Sequence, residues 1–303
     1  MSDPGAPPRT GAPPIPIMLC ADDYGLAPGI GAAIRDLIEL GRLSAASCMT
    51  VSPFWPEEAA RMRPLADHAD IGLHLTLTDQ RALGPMPRLA PHGRLPGLRN
   101  FVSRAMRRAL DRAEIAAEVE RQLDAFEKAM GRAPSHLDGH QHVHQLPIVR
   151  DVVIELYQRR LAGSGTWLRY CDEPTGSALS RARPFDGLMV SLLGRRFARR
   201  ARGLGIPGNR RFRGIRNFAI RKGYSELFRS YISPAPPGLL VMCHAGLSDA
   251  ALRAADPVTD AREDEYRFFL SNDFPEALRE AGVRLARFAA AARARAMVNA
   301  PAP

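Results

Sequence analysis

Six short apolar runs recur along this chain with stretches of helical periodicity between them, and that alternation restricts the fold more than any other feature. The runs are IPIMLCADD (15–23), SAASCMTV (44–51), DIGLHLTL (70–77), HLDGHQH (136–142), TWLRYCD (166–172) and GLLVMCHAG (238–246). The intervening GIGAAIRDLIELG, AEIAAEVERQLDAFEKAMG and PIVRDVVIELYQRR carry apolar residues three and four apart, and the first two stop at Gly as helices commonly do. Strands joined by crossover helices run parallel, so the pattern predicts an α/β fold around a mostly parallel sheet. FPEALREAGVRLARFAAAARARA (274–296) reads as one docked C-terminal amphipathic helix. With 303 residues, 46% of them hydrophobic, the chain can bury the core of one large α/β domain, expected over 15–303. Two regions punctuated by Pro, Gly and Arg, 79–104 and 174–222, break the alternation and are expected as insertions or long loops.

Residues 1–14 are rich in Pro and Gly and read as a disordered leader without the basic and apolar blocks of a secretory signal. No run approaches the roughly 18 apolar residues of a membrane span, so the expected location is cytoplasmic. The four cysteines, Cys20, Cys48, Cys171 and Cys243, lie far apart and fit buried thiols better than a disulfide framework. The net charge is +10, yet residues 181–222 alone hold 13 Arg/Lys against one Asp, which leaves the remainder near −2. Such segregation points to a local anionic contact, a lipid head group or a phosphate, rather than to a general DNA-binding face. A solvated Arg-rich helix and loop is the plainer alternative, in a chain with 40 Arg and two Lys.

Functional groups of α/β folds collect where strands end at their carboxyl side. Here the first strand ends in Asp22-Asp23-Tyr24-Gly25, the third carries His74, and the last ends in Cys243-His244-Ala245-Gly246. HLDGHQHVH (136–144) places four of the eight histidines at every second residue, and a strand would set His136, Asp138, His140, His142 and His144 on one face. Singly, an Asp pair before Gly is a turn signal and a strand histidine is a packed one. Together, carboxylate and imidazole from four strands point to a divalent cation, because three such ligands leave a position open for water. Adjacent aspartates at a strand end do not easily face one ion, so one is expected to ligate and the other to act as a base. With a histidine opposite as acid, this is the layout of a metal-dependent amide or ester hydrolase.

In their order and spacing, ADDYGLAPGI, GRLSAASCMTVSPF, DIGLHLTL, PSHLDGHQHVHQLP and LVMCHAGLSD resemble the YdjC-like (ChbG-type) carbohydrate deacetylases. The resemblance implies a distorted (β/α) barrel of the polysaccharide-deacetylase-like type, which removes an N-acetyl group from an amino sugar by attack of a metal-bound water. Carried over residue by residue, it implies that Asp23, His74 and His140 hold one divalent ion, Zn²⁺ or Mg²⁺, and that Asp22 is the general base. His244 becomes the acid that protonates the leaving amine or helps hold the oxyanion. Asp138 is expected to orient a ligating imidazole, with His136, His142 and His144 lining the site or facing substrate. Ala245 stands where relatives carry Pro, which leaves the backbone beside His244 less constrained. GNRRFRGIRNF (208–218) resembles a loop near the site in relatives, with Arg213 or Arg216 meeting an anionic or hydroxyl-rich substrate. The implied substrates are a chitooligosaccharide or the amino-sugar head group of a hopanoid-type lipid, and the implied assembly is a homodimer.

Two other functions compete. A non-catalytic metal- or nucleic-acid-binding protein would use the arginines of 181–222, but a closed structural ion site takes four ligands and gives Asp22 no task. A phosphoester hydrolase would keep the metal, although two-metal sites generally draw on more carboxylates than this rim supplies.

Overall fold

The computed structural model describes residues 13–172, 184–216, 218 and 223–298, so most of the expected leader lies outside the described residues. Among the described residues, eight strands form one sheet: β1 (Ile15–Tyr24), β2 (Ala45–Cys48), β3 (Asp70–Leu75), β4 (His136–Gly139), β5 (Trp167–Leu168), β6 (Arg211–Arg213), β7 (Leu239–Cys243) and β8 (Val283–Leu285). Their order is β5-β4-β3-β2-β1-β7-β6, every pairing is parallel, and β8 pairs with the first residues of β1. Around the sheet lie α1 (Pro28–Glu39), α2 (Trp55–Met62), α3 (Leu98–Met106), α4 (Arg112–Met130), α5 (Val149–Leu156), α6 (Pro184–Gly203), α7 (Tyr224–Ile232), α8 (Ala250–Ala255), α9 (Asp260–Leu270), α10 (Asp273–Glu280) and α11 (Phe288–Val298). The longest crossover helix of the predicted set, α4, shows why it begins and ends where it does. Asp111 accepts hydrogen bonds from the free N–H groups of Ala113 and Glu114, and Gly131 stops the helix in a left-handed turn at φ 71°.

The sheet curls until its edge strands meet. Leu168 forms a parallel bridge to Gly208, just ahead of β6. The Asn209 side chain spans the same seam, accepting from the Tyr170 N–H at 2.7 Å and donating to the Tyr170 carbonyl at 2.8 Å. This is the barrel-like parallel α/β architecture expected from the sequence. Among the described residues, no helix is long and apolar enough to cross a membrane.

Two-residue alternation along the strands makes two environments. Ile17, Leu19 and Ala21 of β1 point to the helices and join the main core, with Leu73 of β3, Leu137 of β4 and Val241 of β7. The opposite parity, Met18 and Cys20 of β1, Trp167 of β5, Phe212 of β6 and Leu240 and Met242 of β7, packs inside the curl. Trp167 is stacked there between His136, 4.5 Å away, and Phe288, 5.0 Å away. Continuing along that inward parity toward the strand ends leads to Asp22, His74, Asp138 and Arg169. The apolar interior therefore gives way to a charged layer.

Three expectations need correction. The single C-terminal helix is α10, then β8, then α11; the Gly282 turn, at φ 62°, breaks the helical pattern and lets Val283–Leu285 pair with β1. The Arg-rich stretch contributes both α6 and β6, whose alternation is too short to stand out from the surrounding arginines. The histidine-rich segment is not one strand face. β4 ends at Gly139, and residues 140–145 form a tight 3-10 turn in which Gln141 and His142 adopt left-handed backbone, at φ 53° and 60°.

Candidate active site

β1 delivers two carboxylates to one place because its end is irregular. Between Ala21 and Tyr24 the pairing with β2 slips by one residue, and Asp23 lies at φ 67°. By parity Asp23 would face the helices; the bulge turns it toward the same histidine that Asp22 approaches. His74 Nε2 is 3.3 Å from Asp23 Oδ1 and 4.0 Å from Asp22 Oδ2. Both neighbouring carboxylates thus reach one histidine, through a backbone conformation that Asp tolerates better than most residues.

His140, first residue of the turn after β4, places Nδ1 at 2.9 Å from the same Asp23 Oδ1. Asp23, His74 and His140 each offer one ligand atom, all within 4.8 Å of one another. One carboxylate oxygen and two imidazole nitrogens form a donor set suited to a divalent cation. His74 is aimed by Asp138, whose Oδ1 lies 2.6 Å from Nδ1. A cation at Nε2 would displace the proton there while Asp138 keeps the one on Nδ1, the arrangement by which carboxylates fix metal-binding histidines.

Electrostatics reinforce the geometry. Burial works to lower the His74 pKa, but the Asp138 and Asp22 carboxylates outweigh it and raise it to about 10. Burial works to raise Asp23, yet Arg262 and His140 hold it well below the usual carboxylate range. Asp138 is likewise held low against its burial, by Arg169 and His74.

Two buried arginines that the sequence reading passed over organise these carboxylates. Arg169, fully buried, donates from Nη1 and Nη2 to both oxygens of Asp22, each at 2.6 Å, and from Nη2 to Asp138 Oδ2 at 2.6 Å. Ser47 completes this cluster, donating to Asp138 Oδ2 at 2.6 Å and standing 2.8 Å from His136 Nε2. Gly72 on β3 is needed beside it, since a Cβ there would fall 2.4 Å from the His136 ring. Arg262 of α9, 2% exposed, grips Asp23 Oδ2 and Asp256 Oδ2, each at 2.6 Å. A charged residue at an inward position of TWLRYCD was a readable sign of Arg169. Nothing in the sequence placed α9 against β1.

The remaining expected residues divide. His144 is buried, with Nε2 3.0 Å from the Arg169 carbonyl, and burial lowers its pKa to about 4. His142 turns to Cys171 Sγ at 3.4 Å and to the edge of Phe212, and burial holds its pKa well below the ordinary value. Arg213 donates from Nη1 to the carbonyls of Tyr231, at 2.5 Å, and Pro234, at 3.0 Å, and so braces the backbone at the end of α7. Arg216 pairs with buried Glu265 at 2.7 Å, whose other oxygen accepts from the His244 N–H at 2.5 Å. Arg216 thus reaches the site through His244. The His244 ring packs against Phe218, its Nδ1 is buried with no partner among the described residues, and burial lowers its pKa to about 4.

Known proteins match this chain in sequence and in shape. A profile of the YdjC-like protein family matches residues 16–280. A carbohydrate deacetylase of Homo sapiens is 33% identical over 174 residues, covering 52% of this chain and 53% of that protein. A chitooligosaccharide deacetylase of Yersinia pestis is 34% identical over 137 residues, covering 45% of this chain and 53% of that protein. The chain thus spans about half the length of the curated relatives it matches. Among solved structures, one described as a cellobiose-phosphate cleavage protein of Enterococcus faecalis superposes with a TM-score of 0.71 at 20% identity, covering 91% of this chain and 98% of that one. At that identity the likeness speaks for the fold alone.

Proposed function

The chain belongs to the YdjC-like family, and from that premise we propose that it is a metal-dependent N-deacetylase that hydrolyses the acetamide of an amino sugar to acetate and a free amine. The convergence of Asp23, His74 and His140 on one point, with Asp22 beside them, carries the proposal. These three residues would hold a divalent cation, Zn²⁺ or Mg²⁺. Lewis acidity toward water and toward the acetyl carbonyl is the chemistry such an ion supplies when bound.

The chain's own groups do the rest. Asp22, fixed in plane by Arg169, takes the proton from the attacking water as general base. Asp138 keeps the His74 tautomer constant through its contact at Nδ1. His244, whose backbone is tied to Glu265 and whose ring burial keeps neutral, donates to the oxyanion, and the proton taken by Asp22 passes to the departing nitrogen. His140, 14% exposed, is the most accessible of the three ligands and marks the side from which the sugar enters. Chitooligosaccharides and lipid-borne amino sugars are the substrates to compare.

Acetate release from a panel of N-acetylated sugars and glycolipids, with Zn²⁺, Mg²⁺, Mn²⁺ and Co²⁺ supplied in turn, tests the proposal. Release from at least one member with a bound cation is expected. A chain that binds the ion yet frees no acetate from any of them is not an amino-sugar deacetylase.

A further inference from the structure

The Arg-rich segment has no task in the chemistry above, and α6 shows why it matters. One side of this helix belongs to the fold: Leu193, Phe197, Ala198 and Ala201 are buried in the main core. It is pinned to the segment that carries His140. Phe197 meets the His144 ring at 5.4 Å, Gln145 donates to the Val190 carbonyl at 3.1 Å, and Gly194 lies so close to Cys171 that a Cβ would fall 2.4 Å from its carbonyl oxygen.

The other side combines exposed apolar and basic residues. Met189, Leu192, Arg196 and Arg199 recur three and four residues apart, on one helical face, and all are exposed. Met189 is 44% exposed, Leu192 49%, and Leu204 just past the helix 48%; these are three of eight large hydrophobic residues exposed among the described ones. Arg196 and Arg199 have no ion pair among the described residues, and neither do Arg210 and Arg211, which line a 370 Å³ pocket with Arg202 beyond the helix end. Some exposed arginines elsewhere are neutralised, although Arg99, Arg107 and Arg108 stand without an ion pair among the described residues, as Arg196 and Arg199 do. Arg160 meets Glu120, Asp124 and Glu127, Arg112 meets Glu155, and Arg279 meets Glu276. From residue 187 to residue 225 the sequence contains no Asp or Glu at all.

We propose that this outer face of α6 docks the protein on an anionic lipid surface. Unpaired guanidinium groups match lipid phosphates, and Met189 and Leu192, one turn apart and ahead of the arginines, supply the apolar contact that sinks into the acyl boundary. A nucleic acid would answer the arginines but not the exposed Met and Leu, which makes the lipid surface the better match. Docking there sets a membrane beside the His140 segment, so a sugar carried on a lipid head is the substrate that gains most. That last consequence rests on the deacetylase reading; the docking itself does not.

The full chain is sedimented with phosphatidylcholine vesicles that contain or lack phosphatidylglycerol. Binding is expected only to the anionic vesicles and is expected to weaken as salt rises. Arg196→Gln with Arg199→Gln should weaken it by about 10- to 30-fold, from the usual contribution of a basic residue at such a surface. Met189→Ser with Leu192→Ser should weaken it by about tenfold at unchanged charge. Absent or lipid-independent binding overturns the proposal, as does indifference to the Met189 and Leu192 changes. Tighter binding to duplex DNA than to anionic vesicles at the same salt overturns it in favour of nucleic acid. Acetate release from a soluble sugar is read in parallel and should be equal in both double variants and the parent chain, which shows that the variants fold. A parent chain that binds anionic vesicles but releases no acetate refutes the deacetylase reading and leaves the docking standing.

Discussion

Asp22 and Asp23 are adjacent in sequence, are both buried, and are each held by an arginine from far along the chain, yet the two sides of the site they define are built differently. On the Asp22 side everything comes from strand parity: Arg169 follows β5, Asp138 is on β4, Ser47 on β2, and one guanidinium binds both oxygens of Asp22 together with Asp138. On the Asp23 side the guanidinium comes from a helix, α9, and Arg262 holds only Oδ2, leaving Oδ1 to the two histidines. A carboxylate tied at one oxygen is free to ligate with the other. A carboxylate tied at both has its plane fixed, which suits a base. The contrast supports the proposed roles of the pair without reference to any relative.

The largest effect that tests this contrast is catalytic. Asp22→Asn should keep the bound cation and lose acetate release by about 10²- to 10⁴-fold, whereas His74→Ala and His140→Ala should lose the cation itself. Metal content and turnover measured side by side decide it, and full occupancy in both histidine variants would remove them as ligands. Next comes stability. Arg169→Met strands Asp22 and Asp138 in the interior and should cost about 3–5 kcal/mol in urea unfolding. Arg262→Met should cost less, because one of its two partners, Asp256, is 17% exposed and can be rehydrated; equal losses would dissolve the distinction between the two sides. Ser47→Ala removes a hydroxyl that serves both His136 and Asp138 and should cost about 1–3 kcal/mol, with no loss in a calorimetric scan counting against the network.

The smallest effect is a pH slope. Burial brings His136 and His144 down to about 4 from an ordinary 6.5, so the unfolded chain takes up protons that the folded chain refuses. Their contribution is complete above pH 6.5 and is lost as the pH falls toward 4, and the melting temperature of the metal-free chain should fall over that window. His74, raised to about 10, stays protonated in the fold throughout it, so it opposes the slope only near pH 6.5, where the unfolded ring is still taking up its proton, and not toward pH 4. A melting temperature that is level across the window would mean that the two rings are protonated in the fold.

How legible all this was depended on whether the decisive feature was periodic. Asp22, His74 and Asp138 lie on strands whose two-residue alternation can be read directly, and the parallel sheet followed from the same pattern. Asp23 joined the site only through a bulge and a left-handed residue, neither of which alternation encodes. The histidine run misled for a related reason: a period of two is a strand signal, but Gly139 ends the strand and left-handed Gln141 and His142 turn the later imidazoles away from its face. Arg262 and Glu265 were invisible because two charges three residues apart on a helix look like solvent-facing ones until α9 is seen lying across the ends of β1 and β7.

The seam at Asn209 has a mechanical consequence. Two of the bonds that close the curl pass through that one amide, next to a single backbone bridge, whereas β1 and β7 are sewn together over four registered pairs. Deuterium should therefore enter first at the amides flanking this clasp. When it opens, the stave bearing Arg169 swings with it, so the enclosure loosens at the point where its most buried cation is anchored.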